Sequence, residues 1–226
     1  MKQLVIFVLL TLSAGVISAQ NAEAVIKEMT GTVELKRSGS ADWVAAKEGD
    51  RITKDTVVST GFKSIAVIAA GNSTITVRPL TRLSLAELLT QNETETVNVS
   101  LNTGRIRVEV NPPAGGRANF TAQTPSSTAS VRGTAFDMNT VNIQVLRGAV
   151  NYRAESGTLN RPVIVTAGQQ SWIDTVTGSA VHPITAAEAM RTLPALPGQI
   201  AVQSSGNGAR LEVTGGLEMG FVLVEE

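Results

Sequence analysis

The sequence predicts an all-β fold, a β-sandwich or jelly-roll-like stack of antiparallel sheets, and three observations predict it. Short segments alternating apolar and polar residues recur along most of the chain. Glycine, proline, asparagine and serine punctuate them at the spacing of turns between short strands. A glycine followed by an alternating run appears three times, at Gly31 to Leu35, Gly104 to Val108 and Gly148 to Tyr152. The spacing of those three is irregular, so the pattern reads as repeated hairpin grammar rather than a solenoid.

Each element can be justified in order. After a polar linker over 20–28, Thr30 to Arg37 alternates, with Val33 and Leu35 on one face, and reads as the first strand. Trp43 follows a turn at Ser38 to Ser40 and is placed to lid one end of the core. Extended segments at Arg51 to Thr53 and Thr56 to Ser59 follow the turn at Gly49 and Asp50. Ser64 to Ala69 and Ser73 to Val77 flank Gly71 and Asn72, a tight-hairpin signal. Pro79 ends that ladder, and Leu80 to Leu89 reads as extended, a helical turn being the alternative. Thr96 to Leu101 and Arg105 to Val110 read as a second hairpin about Asn102, Thr103 and Gly104. Asn111 to Gly116, with two prolines and two glycines, is a loop. Further strands are expected at Asn119 to Ala122, Ser127 to Met138, Asn142 to Leu146, Ala149 to Arg153, Pro162 to Thr166 and Gln169 to Ile173.

The character changes after His182 and Pro183. Thr185 and Glu188 form a capping box that predicts a short helix to about Leu193, stopped by Pro194 and Pro197. A hairpin over Ile200 to Gln203 and Arg210 to Thr214, then a strand at Phe221 to Val224, completes a tail over 183–226. That tail either adds strands to the main sheet or forms a small appendage.

Composition excludes several function classes. Lys+Arg and Asp+Glu both number 19 in 226 residues, without the basic excess of a nucleic-acid surface. Hydrophobic residues make up 42% and aromatics only 4%, so the core must rest on Val, Ile, Leu and Ala. Cysteine is absent, which excludes disulfides, thiol catalysis, Cys-ligated metal and a lipidated cysteine anchor. At the N-terminus, Lys2, the apolar run Leu4 to Leu12 and the small residues Ser13 to Ala19 read as a signal peptide over 1–19. Cleavage is expected after Ala19, with Ala22 to Ala24 as the alternative site and an uncleaved anchor as the other reading. The run is shorter than the roughly 20 residues of a bilayer span. The expected location is therefore exported, periplasmic or at the cell envelope, with no membrane span after cleavage.

The chain is organised around Thr124 to Met138, a turn at Pro125 followed by small and β-favouring residues. As one continuous strand it would place Val131, Gly133 and Ala135 on one face and Arg132, Thr134, Phe136 and Met138 on the other. Arg132 on a face with Phe136 must reach solvent or be held by carbonyls or a carboxylate, Asp137 or Asp50 being the candidates. Two readings stand. In the first, Arg132 fixes two β-layers together; in the second, it contacts an anion or partner.

This stretch resembles the signature of the FecR family, carried by Thr124, Pro125, Val131, Arg132, Gly133, Thr134 and Phe136. Val145 to Val150, Ala167 to Gln169, Gly49, Asp50, Val57 to Gly61 and Ala66 to Ile68 fit the same pattern, and the resemblance runs from about Met29 to Asp174, within a β domain over 29–182. It implies an extracytoplasmic β-rich domain. The best-known members carry a cell-surface iron-siderophore signal to a cytoplasmic sigma factor, and others are stand-alone exported proteins. Only a lysine-bearing stub precedes the apolar run here, so the expectation is a stand-alone member without the sigma-binding segment.

No catalytic set accompanies the motif. His182 is the one histidine and has no nucleophile elbow near it. Asp50 and Asp55 lack the spacing of a calcium loop, and Gly115 and Gly116 lack a phosphate-loop context. No catalytic residue, cofactor or metal site is expected. The reading is a non-enzymatic envelope module that binds a protein partner. The alternative is a structural or surface module that self-assembles or binds cell-wall glycan through Trp43, Tyr152 or Trp172.

Overall fold

The computed structural model describes residues 24–155, 161–174, 176–185 and 187–188. The chain divides into two units between Ala186 and Ala187, and the described strands all belong to the first. The expected signal peptide over 1–19, the hairpin over 200–214 and the strand at 221–224 lie outside the described residues. So does most of the helix expected to about Leu193; Thr185, its expected cap, closes a strand. No helix among the described residues is long and apolar enough to cross a membrane.

In chain order the strands are β1 (Ala24–Thr30), β2 (Val33–Lys36), β3 (Val44–Ala45), β4 (Arg51–Ile52), β5 (Val57–Thr60), β6 (Ile65–Ala70) and β7 (Ser73–Val77). Then come β8 (Arg82–Gln91), β9 (Thr94–Thr103), β10 (Arg105–Val110), β11 (Arg117–Gln123), β12 (Ser127–Val131) and β13 (Ala135–Asn139). The series closes with β14 (Asn142–Arg147), β15 (Ala149–Ala154), β16 (Val163–Thr166), β17 (Gln169–Asp174), β18 (Ser179–Ala180) and β19 (Ile184–Thr185). The all-β expectation holds.

Two sheets enclose one core. The first has ten strands, in the order β18-β17-β14-β13-β10-β7-β6-β1-β4, with β19 also on β17. The second has nine, in the order β16-β15-β12-β11-β9-β8-β5-β2-β3. Apart from the edge strands β4, outside β1, and β3, outside β2, strand number rises across each sheet, so the chain fills the sandwich from end to end. Alternation dictates this: the inward residues of β10 (Ile106, Val108, Val110) and of β9 (Val97, Val99, Leu101) are buried while their neighbours face water. As expected for an aromatic-poor chain, the buried cluster is mostly Val, Ile, Leu and Ala, with Phe120, Phe136 and Tyr152 as its largest rings.

Several expectations need correction. The linker over 20–28 is strand from Ala24, and Ala24 and Ile26 are core residues. The sheets are not wholly antiparallel, because β9 and β11 run parallel. Thr94 to Thr103 pairs with Arg82 to Gln91, through a turn at Asn92 and Glu93 with φ of 48° and 61°. The segments about Gly104 are therefore no hairpin, since β9 and β10 belong to opposite sheets.

Candidate functional site

The recurring glycines are corners. Gly31, Gly104 and Gly148, all with positive φ, separate strands of opposite sheets (β1 from β2, β9 from β10, β14 from β15). Sequence pattern finds a turn there but not its partner sheet. Gly104 shows why the residue matters: at φ +90° an added Cβ would lie 2.5 Å from the Thr81 Cα and 2.7 Å from the Leu80 carbonyl.

Gly133 is another such corner. The expected strand from Ser127 to Met138 is broken, because β12 ends at Val131 in one sheet and β13 begins at Ala135 in the other. Gly133, at φ 100°, makes the crossing, and a Cβ there would press on the Pro112 ring at 3.3 Å. Crossing resets the alternation: Arg132 is exposed, while Thr134, Phe136 and Met138 are buried. Phe136 packs edge-on to Phe120 across the core, centroids 6.2 Å apart at 70°. The Thr134 carbonyl accepts from the Val110 amide at 2.8 Å, and its buried hydroxyl has no hydrogen-bond partner.

The layers are fixed together by hydroxyls rather than by Arg132. Thr124, buried at the tip of the β11–β12 hairpin beside exposed Pro125, donates its hydroxyl to the Thr140 carbonyl at 2.8 Å. The same oxygen accepts from the amides of Ser127 at 2.9 Å and Ser126 at 3.2 Å. Tyr152, on β15 of the same sheet, donates to the Val141 carbonyl at 3.0 Å. Both carbonyls belong to the β13–β14 turn of the opposite sheet, whose amides Val141 and Asn142 donate to the Asn139 side chain. Burial pushes the Tyr152 phenol up to about 12, against the opposing pull of Ser127 beside it. Elsewhere, buried Glu95 of β9 accepts from the Asn72 amide at 3.0 Å with both carboxylate oxygens, capping the β6–β7 turn of the other sheet.

Arg132 is thus free of the structural duty the first reading gave it. Among the described residues it has no hydrogen-bond or ion-pair partner. Asp50 accepts from the Lys47 amide at 2.9 Å. Asp137 lies on the other sheet, 3.2 Å from Arg107 and 3.5 Å from Arg78. Arg132 instead rims an open groove of about 630 Å³ on the outward face of the nine-stranded sheet. Its outward lining comes from Asn119, Thr121, Ser130, Asn151 and Ile164; the last four form one cross-strand row from β11 to β16. That surface offers amides and hydroxyls, one guanidinium and one exposed aliphatic side chain, and no acid or base for catalysis.

Residues 56–151, from just before β5 into β15, match the family model described as FecR protein. This segment is a FecR domain. Two crystal structures of a candidate anti-sigma factor from Parabacteroides distasonis are similar at 12% identity and a TM-score of 0.46, each over 57% of this chain. The chain spans 59% of the length of those solved chains. No curated protein matches.

Within the FecR domain the expected motif residues divide. Thr124, Gly133, Thr134 and Phe136 build the corner and the core, while Arg132 and Pro125 are exposed. Pattern reading missed Ser127, Tyr152 and Glu95 as inter-sheet contacts. The single tyrosine of an aromatic-poor chain was the available signal for Tyr152. The glycan candidates form no platform: Tyr152 is fully buried, Trp172 is half-buried on the other sheet, and Trp43 lies 5.3 Å from the Arg82 guanidinium. His182 is exposed, its ring nitrogen 3.1 Å from the Pro183 carbonyl, and no group of three His, Cys, Asp or Glu among the described residues could hold a metal.

Proposed function

We propose that this chain is an exported, non-enzymatic FecR-domain module of the cell envelope that acts by binding a partner protein. One observation carries the reading. In the Arg132–Gly133–Thr134 corner, the glycine and threonine serve the fold, while the arginine stands exposed and unpartnered beside an open groove. An arginine so placed offers its fork to a carboxylate or a row of carbonyls on a partner. Cleavage after Ala19 is supported by β1, because processing after Ala24 would remove its first core residue.

The test is in-cell crosslinking of the tagged full chain, capture, and identification of crosslinked proteins, with fractionation and N-terminal sequencing of the product. A specific envelope protein, recovered with wild type and lost with Arg132→Ala, supports the proposal. Recovery of peptidoglycan fragments alone moves the weight to the glycan-binding alternative. A cytoplasmic, unprocessed product overturns the export reading.

A further inference from the structure

We propose that the outward face of the ten-stranded sheet at Arg78, Arg105 and Arg107 docks an extended acidic segment of a protein. This rests on the reading of the chain as a protein-binding module, but on a different surface from the Arg132 groove.

The register between β7 and β10 pairs Val77 with Ile106 and Thr76 with Arg107. Arg105 therefore stands opposite Arg78, and the Arg78 amide donates to the Arg105 carbonyl at 3.1 Å. Val77, Ile106 and Val108 are buried, so the arginines share the outward face. Like charges directly opposite one another destabilise a sheet. Among the described residues only Asp137 answers them, 3.5 Å from Arg78 and 3.2 Å from Arg107, so one carboxylate is shared by two of the three guanidinium groups. Among the described residues Arg105 has no ion-pair partner. Glu109, the next outward residue of β10, lies beyond Arg107, two positions further from the Arg78–Arg105 pair.

A second observation points the same way. Nε of Arg78 and Nε of Arg107 are buried with no hydrogen-bond partner, and the buried Oδ1 of Asp137 has only its 3.5 Å ion pair with Arg78. The cluster is under-satisfied as it stands, and a local rule broken without an internal compensation marks a functional surface. Its spacing suits a strand. Arg105 and Arg107 are two residues apart, about 7 Å, which is the spacing of alternate side chains on an extended peptide. Guanidinium forks bind carboxylates bidentately, and the balanced overall charge of the chain disfavours nucleic acid.

The experiment measures fluorescence anisotropy of a labelled alternating Glu-Thr peptide and a Lys-Thr control against the full chain. The Glu-Thr peptide should bind saturably, weaken as salt rises, and lose roughly tenfold affinity with Arg105→Gln, as expected for a charge contact. Arg105 is exposed, so the variant should keep the wild-type melting curve. Absence of binding, equal binding of the Lys-Thr peptide, or unchanged affinity with Arg105→Gln overturns the proposal, as does tighter binding of a single-stranded DNA oligonucleotide. If Arg105→Gln captures the crosslinked envelope partner as well as wild type does, this surface is wrong while the partner-binding reading stands. Peptide binding without any envelope partner supports the surface and overturns that reading.

Discussion

Replacing Thr124 by alanine removes one oxygen that serves three groups. In the intact protein it donates to the Thr140 carbonyl and accepts from the Ser126 and Ser127 amides. Thr124 is 4% exposed and Ser127 fully buried, so water cannot replace those bonds without opening the tip of the β11–β12 hairpin. Leaving a buried donor or acceptor unsatisfied costs about 1–3 kcal/mol. The Thr140 carbonyl and Ser127 amide together set an expected loss of about 2–4 kcal/mol, a large share of the roughly 5–15 kcal/mol that stabilises a domain. Urea titration should show a lower midpoint at unchanged slope. Thr124→Ser keeps the hydroxyl and loses one methyl, so it should cost no more than about 1 kcal/mol. Arg132→Ala, at an exposed position without partners, should stay within about 0.5 kcal/mol of wild type. Two results would refute the reasoning: a neutral Thr124→Ala, or an Arg132→Ala as damaging as Thr124→Ala.

Two further outcomes rest on the same geometry. Tyr152 holds its proton more tightly when folded, so its stabilising contribution is complete below the unfolded value near 10 and is lost as pH rises through about 12. The loss is about 3 kcal/mol, and alkaline unfolding tracked by circular dichroism should show a shallower decline over that window in Tyr152→Phe. Gly104→Ala places a Cβ against the Thr81 and Leu80 backbone at a left-handed φ, and should yield little soluble protein or a melting point many degrees below wild type.

The strands were legible because their physics is local. Alternation at β10, β14 and β17 and the Gly71–Asn72 turn arise from which side chains must leave water and which φ values a turn demands. The motif residues were also visible, but their duties were not. Arg132 looked like the link between layers because a continuous strand would have aligned it with Phe136. The linking is done by Thr124, Tyr152 and Glu95, residues whose partners lie 11 to 23 positions away.

By itself, then, the sequence determined an all-β chain with a Val, Ile, Leu and Ala core and a FecR-type segment, because periodicity and side-chain type act over a few residues. Tertiary structure alone decided which glycines are corners between sheets, that β9 and β11 run parallel, and that Arg78 and Arg107 share Asp137. Those outcomes depend on pairing between distant strands, and the same alternating segment satisfies its local preferences in either sheet.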